Sequence, residues 1–589
     1  VVSWQAKLRG WLVELARPFP PPNYALGIYM SPLDAFGATQ GEQAVKNALQ
    51  LPGVRRMAAA LKDFLADERA DIALAKACHA TFEQRLRVVA LHEDPPTDYG
   101  FGAGIAMPPL GHPLDRVARQ VLRADPSPSG TSRMDGGSLR VLVGLLLAAT
   151  WLVVEAAVIG WRFGQGTVTT SWFRIGAPSQ IFRRWAVFRD AAAALGVWRD
   201  DALLLVAEEE GLTEGPGWLA QVRLAGLPVE ARRWRAETLA PCVILAMRAV
   251  AGAIRGMRDP WTLQAAAEAV GLARESLPIQ RLLHSHRFKW YLDVEEYTGR
   301  HVVRAIVLGR FGAGLVRWPH AVMDTPGASM SWLMYDLFLC FGPYERLTLG
   351  QTWRPDGRAA VVGLVQNDRR MAQQVTRHYR ETIEAFKATG GKVVAYFLPS
   401  VMEGREPLIA ATLDVLLRVF ASRPDWLLLV KPKGIKSTRQ LDSILSSTPD
   451  LAEALKIALV VRYENVDQEP CPVGWAISQI ELGVGIGTVP FEMLSRGKPA
   501  FVHYPVIHPT PATERLVACG LMHNTPAAFE EALQRWLAAP ASFSVPYDWF
   551  RDMFDPFLDD QALTRVAEQL LLDHGAARND RPQQALQAS

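Results

Sequence analysis

Short apolar runs alternate with longer amphipathic stretches over most of this chain. From about residue 166 the runs at 202–207 (ALLLVA), 288–294 (FKWYLDV), 314–318 and 334–341 (MYDLFLCF) read as buried strands. Helical spacing at 231–258 and 261–283 separates them. After a turn-rich joint at 352–357 (TWRPDG) the rhythm restarts, with strands expected at 359–365, 392–398, 426–431, 459–462, 480–486 and 499–504. A helix is expected at 407–420, and helices near 527–537, 547–554 and 560–574 close the fold. Strands alternating with helices make a parallel sheet covered on both faces. Two such halves predict an α/β protein of two Rossmann-like domains facing across a cleft, where sheets of this kind hold ligands. The expected units are 166–355, 356–525 and C-terminal helices over 526–575, followed by a frayed polar tail at 576–589.

The first part of the chain follows a different pattern. Residues 1–136 show helical spacing at 4–15 and 42–91, broken by a proline run at 18–22 and by Pro- and Gly-rich segments. They predict a mostly helical region to which no role can be assigned. A hydrophobic helix is expected over 137–165. Between 141 and 161 the single charge is Glu155, and as a helix those residues span about 31 Å, close to the ~30 Å hydrocarbon core of a bilayer. Arg140 and Arg162 flank the stretch, and Trp151 and Trp161 suit an interface. A carboxylate at the bilayer centre costs about 2–3 kcal/mol, so a membrane-embedded helix competes with an in-plane or buried one.

Composition narrows the class. Apolar content of 49% and charged content of 21% describe a core-forming protein, and a formal charge of +3 over 589 residues does not imply a nucleic-acid partner. The five cysteines are scattered without a C-x-x-C pair, which is neither a disulfide framework nor a zinc site. The sequence has no Walker A loop, H-E-x-x-H, G-x-S-x-G or D-x-D pair, so no metal ligand set and no cofactor is expected.

The stretch 479–499 (QIELGVGIGTVPFEMLSRGKP) carries the strongest chemical signal. It reads as a strand, glycines at every second position (Gly483, Gly485, Gly487), then a helix with Thr488 as N-cap, Pro490 in the first turn and Gly497 just past its end. That arrangement offers backbone N–H groups and a positive dipole end to a phosphate. Glu492, about one turn in, suits ribose hydroxyls. The spacing is not G-x-G-x-x-G, and glycines that merely let helix and strand pack closely would look the same. Lys431 and Lys433 end another strand (LLLVKPKG), where two cations suit a pyrophosphate, with Tyr463, Glu464 and Asn465 after the next. In the first half Asp293, His301 and His320 stand at or just beyond strand ends, where a carboxylate or imidazole can act as general base toward a hydroxyl. Taken singly, a helix cap, a surface ion pair or a satisfied histidine is the commoner account of each.

Taken together these motifs resemble GT-B glycosyltransferases of bacterial surface polysaccharide and capsule assembly, a group that shades into the teichoic-acid polymerases. The likeness lies in YLDVEEYTGRHVVR (291–304), WPH (318–320), YDLFLCFG (335–342), VVGLVQND (361–368), KPK (431–433) and GIGTVPFEMLSRGKP (485–499), and covers about 166–574. It implies a first half for the acceptor and a second for a nucleotide-activated donor, with Gly487 and Thr488 at the diphosphate and Glu492 at the ribose. The family often has Gln-His-Gly at the position of Trp318-Pro319-His320, so the histidine alone carries over. Many members have Lys-Pro-His where this chain has Lys431-Pro432-Lys433. The resemblance implies a metal-independent transferase moving a sugar from a nucleotide sugar to a glycan or lipid-linked acceptor at the cytoplasmic face of the inner membrane. Its rivals are a CDP-polyol phosphotransferase of teichoic-acid type, a non-catalytic membrane scaffold with a degenerate nucleotide fold, and a nucleotide-sugar epimerase.

Overall fold

The computed structural model describes residues 43–93, 112–122, 136–162, 169–175, 236–255, 259–293, 299–319, 333–349, 357–368, 375–399, 406–464, 470–504 and 510–571. The strand expected at 202–207, the helix at 4–15, His320 and the tail lie outside them. The architecture is α/β, with two parallel sheets.

Helices α1 (Pro52–Leu65), α2 (Ala70–Glu93), α3 (Leu114–Leu122) and α4 (Gly136–Arg162) precede the first sheet. α1 to α3 share one hydrophobic core with the helices of the first half, so this part of 1–136 is a layer of that domain and not a separate region. The sheet contains β1 (Thr169–Ile175), β2 (His286–Asp293), β3 (Gly314–Arg317), β4 (Leu337–Cys340) and β5 (Arg358–Val361), side by side in chain order and all parallel. Between β1 and β2 run α5 (Ala236–Arg255) and α6 (Pro260–Ser285), and α7 (Arg300–Arg310) joins β2 to β3. Ala265, Ala266, Ala269 and Ala273 are buried on α6. These small side chains let α1, α4, α5 and α7 all approach it, because interaxial distance is set by the side chains at the contact.

One boundary is corrected. The sequence pattern opens the second half at residue 356, yet β5 pairs with β4 and completes the first sheet. A short apolar run fixes that a strand forms and is buried, but its partner depends on where the chain travels next. At the end of this sheet Arg317 is fully buried against Glu345, at the start of α8 (Pro343–Leu349), with Nη2 3.2 Å from Oε1. Arg317 Nη1 also donates to the Leu339 carbonyl and the Phe341 amide donates to Glu345, which supplies the hydrogen bonds a buried pair requires.

The second sheet follows α9 (Arg377–Ala388). Its strands are β6 (Lys392–Phe397), β7 (Trp426–Lys431), β8 (Leu459–Val460), β9 (Leu482–Gly485), β10 (Ala500–His503) and β11 (Met522–His523), in the spatial order β11-β10-β9-β6-β7-β8 and all parallel. The intervening helices are α10 (Glu406–Ala421), α11 (Ile435–Ser447), α12 (Pro449–Ala454), α13 (Val473–Gln479), α14 (Thr488–Ser495), α15 (Pro511–Ala518) and α16 (Pro526–Ala538).

The expected C-terminal helices divide between the two halves. α16 packs on α10, β10 and β11, within the second half. α17 (Tyr547–Phe554) and α18 (Ala562–Leu571) return to the first. Phe554 lies 4.6 Å from the Tyr344 ring on α8 and 4.5 Å, parallel, from Phe491 on α14. A Cβ at Gly342 would stand 2.1 Å from the Met553 carbonyl, so the turn after β4 meets α17 backbone to backbone. Further on, Trp290 Nε1 donates to the Leu570 carbonyl, Arg565 Nε to the Val362 carbonyl, and Asp368 accepts from the Leu563 amide at the start of α18. Between these helices Asp555 sits beside Arg496 and Arg565, and burial pushes its carboxyl up to about 6.

α4 is a packed helix. Val141, Leu145, Leu152 and Ala156 are buried against α5 and α6, and Glu155 lies 3.7 Å from Arg274 of α6. Among the described residues no helix is long and apolar enough to cross a membrane. The spanning helix expected over 141–161 is therefore without support, and the carboxylate that weighed against it has an inward partner.

Two outcomes are expected. Phe554→Ala, which removes the ring shared by Tyr344 and Phe491, should cost about 3–5 kcal/mol, and should split thermal unfolding into separate transitions if the shared ring couples the halves. For Asp555 the folded carboxyl holds its proton more tightly than the unfolded one, so its contribution is full at low pH and is lost as pH rises through about 6. Asp555→Asn, which cannot ionise, should therefore gain on the native protein between pH 4.5 and 7.5, by roughly 2 kcal/mol. Parallel melting curves at the two pH values would contradict that.

Candidate functional site

The strand order decides where a ligand can sit. In the second sheet the chain starts at β6, steps out to β7 and β8, then returns to the other side of β6 to lay down β9, β10 and β11. Where the order reverses, the connections leave in opposite directions and part at the carboxyl edge, opening a crevice. β6 and β9 are the two strands at that point. Phe397 ends β6 and pairs with Gly485 on one side and Lys431 on the other. The last row of the sheet therefore runs Lys431, Phe397, Gly485, with the outer two about 10 Å apart by strand spacing.

The glycines of the turn serve different purposes. A Cβ at Gly483 would lie 2.1 Å from Met493 Sδ, so this glycine lets α14 pack on β9. At Gly485 it would stand 3.3 Å from Phe397 Cβ, a tight approach to the neighbouring strand. Gly487 has open space around it, but its backbone has φ +76° and ψ −133°, a conformation essentially confined to glycine. Gly487, and not Thr488 as the sequence pattern suggested, is the N-cap of α14; Thr488 is the first helical residue, and no side chain caps the helix. At the other end the Gly497 amide donates to Leu494 and the Lys498 amide to Met493, with Gly497 at φ +71°, the Schellman arrangement that a glycine in this position permits.

Glu492 is on the second turn of α14 and is buried, 1% exposed, so it is not a solvated helix residue. Lys431 and Lys433 part company. Lys433 is exposed on the turn, whereas Lys431 is buried and donates from Nζ to Tyr463 Oη at 3.0 Å, toward β8 and away from α14. Tyr463 follows β8, as expected, but it faces the lysine; Asn465 lies outside the described residues.

In the first half Asp293 ends β2, buried, with Oδ2 2.5 Å from Arg304 Nη1. His301 is fully buried on α7 and stacks on Tyr335 at 5.3 Å and 4°. The structure brings these two together through α7, with Arg304 one turn beyond His301, but each is engaged in packing or an ion pair. Among the described residues no group of three or more His, Cys, Asp or Glu side chains is placed to hold a metal ion.

Two further polar groups near the carboxyl edge of the second sheet were not singled out by the sequence. Asn367 follows β5, packs on Gly474 at the start of α13, and is buried without a hydrogen-bond partner for its amide among the described residues. His503 ends β10, stacked on Phe529 at 5.1 Å, and burial lowers its pKa to about 4, so it is neutral at physiological pH. The Thr412 hydroxyl gives its hydrogen to the Leu408 carbonyl, so in the 2.9 Å contact with His503 the imidazole Nδ1 must be the donor. That fixes the tautomer and leaves Nε2 as an acceptor. Asn367 had a signal in the VVGLVQND motif; His503, one apolar-strand ending among several, had none.

The fold and this edge define an α/β protein with a parallel-sheet switch point bordered by a glycine turn. No protein-family model and no curated protein matches the sequence. Solved structures with partial likeness include the UDP-GlcNAc 2-epimerase of Neisseria meningitidis bound to UDP-GlcNAc (12% identity over 69% of this chain and 100% of that one, TM-score 0.40). The Methanocaldococcus jannaschii UDP-GlcNAc 2-epimerase in complex with UDP-GlcNAc and UDP is similar at 11%, over 69% and 100%, with TM-score 0.41. The wall teichoic acid polymerase TagF is similar at 9%, over 74% and 96%, with TM-score 0.40. Overlap at this level carries no argument, and the architecture rests on the strand order itself.

The glycines allow a direct test. Gly487→Ala forces a side chain into a glycine conformation at an open position, which should cost about 1–3 kcal/mol. Gly483→Ala meets the flexible end of Met493 and should be partly rescued by Met493→Ala in the same chain. Thermal unfolding of these three variants and of Gly487→Ala with Met493→Ala checks both, and rescue in the last would refute the assignment.

Proposed function

We propose that the carboxyl edge of the second sheet binds the diphosphate of a nucleotide sugar, and that the protein is a GT-B-type, metal-independent glycosyltransferase of bacterial surface polysaccharide assembly. The observation that carries this reading is the position of Gly487 and Thr488, at the start of α14 and at the switch point between β6 and β9. The dipole end of a helix opening at such a crevice suits an anion. Thr488 and the Gly487 backbone meet the diphosphate, with Lys433 supplying charge from the neighbouring turn. As the sugar departs, these groups stabilise the developing charge on the leaving diphosphate, a role worth several kcal/mol when donors are preorganised. Glu492 and Lys431 are both buried, Lys431 against Tyr463, and neither meets the diphosphate in this reading. The acceptor is a glycan or lipid-linked hydroxyl, and its base in this reading is His320, because Asp293 is bound to Arg304 and His301 is enclosed.

Engagement of both described base candidates in structural contacts favours one rival, a protein that binds nucleotide sugar without transferring it. Slow hydrolysis of a donor by pure protein argues for the enzyme and against that rival.

The test is a thermal-shift and calorimetric screen of UDP-, GDP-, CMP- and CDP-linked sugars, in which a true donor raises the melting temperature by mass action. Thr488→Val should weaken the best donor about tenfold to a hundredfold, the worth of one hydrogen bond to a charged group. Unchanged affinity in Thr488→Val and in Gly487→Ala together would remove the site from this edge.

A further inference from the structure

Two helices of the first half turn apolar stripes outward. On α4 the exposed positions include Leu139, Val143, Leu146, Thr150 and Val154, spaced by fours and threes so that they fall on one face. On α5 they include Ala240, Ile244, Met247 and Ile254, with Met247 67% exposed. α4 and α5 pack on each other and both rest on α6, so the stripes lie on two neighbouring helices, each opposite its helix's packed side. Exposed apolar positions lined up in this way on adjacent helices mark an interaction site.

The polar details favour a particular partner. Thr150, the polar member of the α4 stripe, donates its hydroxyl to the Leu146 carbonyl at 2.8 Å, so leaving water costs it little. Glu155 is turned inward to Arg274 and puts no charge on the stripe. Cations border the apolar area: Arg248 and Arg255 are exposed on α5, and Arg55 and Arg56 on α1, which packs beside α5. Asp63 among them is ion-paired with Arg248. A second copy meeting this face through the same face would bring arginine border toward arginine border, whereas an apolar stripe edged with cations fits lipid tails beneath anionic headgroups.

We propose that α4 and α5 form a docking surface for an anionic lipid bilayer, the two helices lying in the plane of the membrane and neither crossing it. This holds whether or not the second sheet binds a nucleotide sugar. The chain used is the full-length protein, sedimented with phosphatidylcholine vesicles with and without phosphatidylglycerol. Binding is expected to the phosphatidylglycerol vesicles, to weaken with salt, and to fall at least about tenfold in Leu146→Glu with Met247→Glu, a change of about 1.4 kcal/mol. Both positions are exposed, so the melting temperature should hold. Should that variant unfold, Arg56→Gln with Arg255→Gln provides the second test and should lose the preference for phosphatidylglycerol. The proposal is overturned if the native protein stays in solution with both vesicles, or if folded variants bind as it does. It is equally overturned if the native protein is a dimer that the double Glu substitution dissociates, which would make a second copy the occupant.

Discussion

The two halves meet along a seam centred on one aromatic ring. Phe554 is shared between Tyr344, on the helix after β4, and Phe491, on the helix after the glycine turn. The same segment brings the Met553 carbonyl against Gly342, where a side chain would not fit. Through this seam the last strands of the first sheet and the helix of the candidate phosphate site form one packed unit. Because interiors are close-packed and deform little, the orientation of α14 depends on α17, and α17 depends on the first sheet. α18 then extends the seam along that sheet through Trp290, Val362 and Asp368.

That arrangement explains the unusual chemistry at the joint. Asp555 lies where the chain passes from α17 to α18, and burial lifts its carboxyl toward neutrality despite two arginines nearby. Desolvation outweighs attraction there, as expected for a side chain enclosed by packing and not exposed in a cleft. The buried pair of Arg317 and Glu345 is supported differently, because each side chain finds a hydrogen bond as well as its partner. Both sites serve the architecture.

Legibility in the sequence followed what is local. The strands at 288–294, 314–318, 392–398 and 426–431 lie within a residue or two of β2, β3, β6 and β7, because a short apolar run has few other ways to bury itself. The helix after the glycine turn and its Gly497 ending were readable for the same reason. Lys431 and Lys433 looked like a pair because a strand's period of two puts residues two apart on one side, but β7 ends at Lys431, so Lys433 lies on the turn beyond it and escapes that alternation. Asp293 and His301 looked like candidates for acid–base chemistry because nothing local shows that Arg304 and Tyr335 engage them.

Composition and periodicity alone determined that this chain is α/β, that it has two sheet-forming halves, and that the glycine stretch joins a strand to a helix. Only the tertiary structure decided that β5 belongs to the first sheet, that α17 and α18 cross back, and that the strand order reverses beside Gly485. It also turned Glu155 inward and left the apolar side of α4 facing out next to that of α5. The reason is physical. Hydrogen bonding within a helix and side-chain period are set by immediate neighbours in the chain, whereas sheet order, ion-pair partners and the exposed side of a helix are set by residues that only the fold brings near.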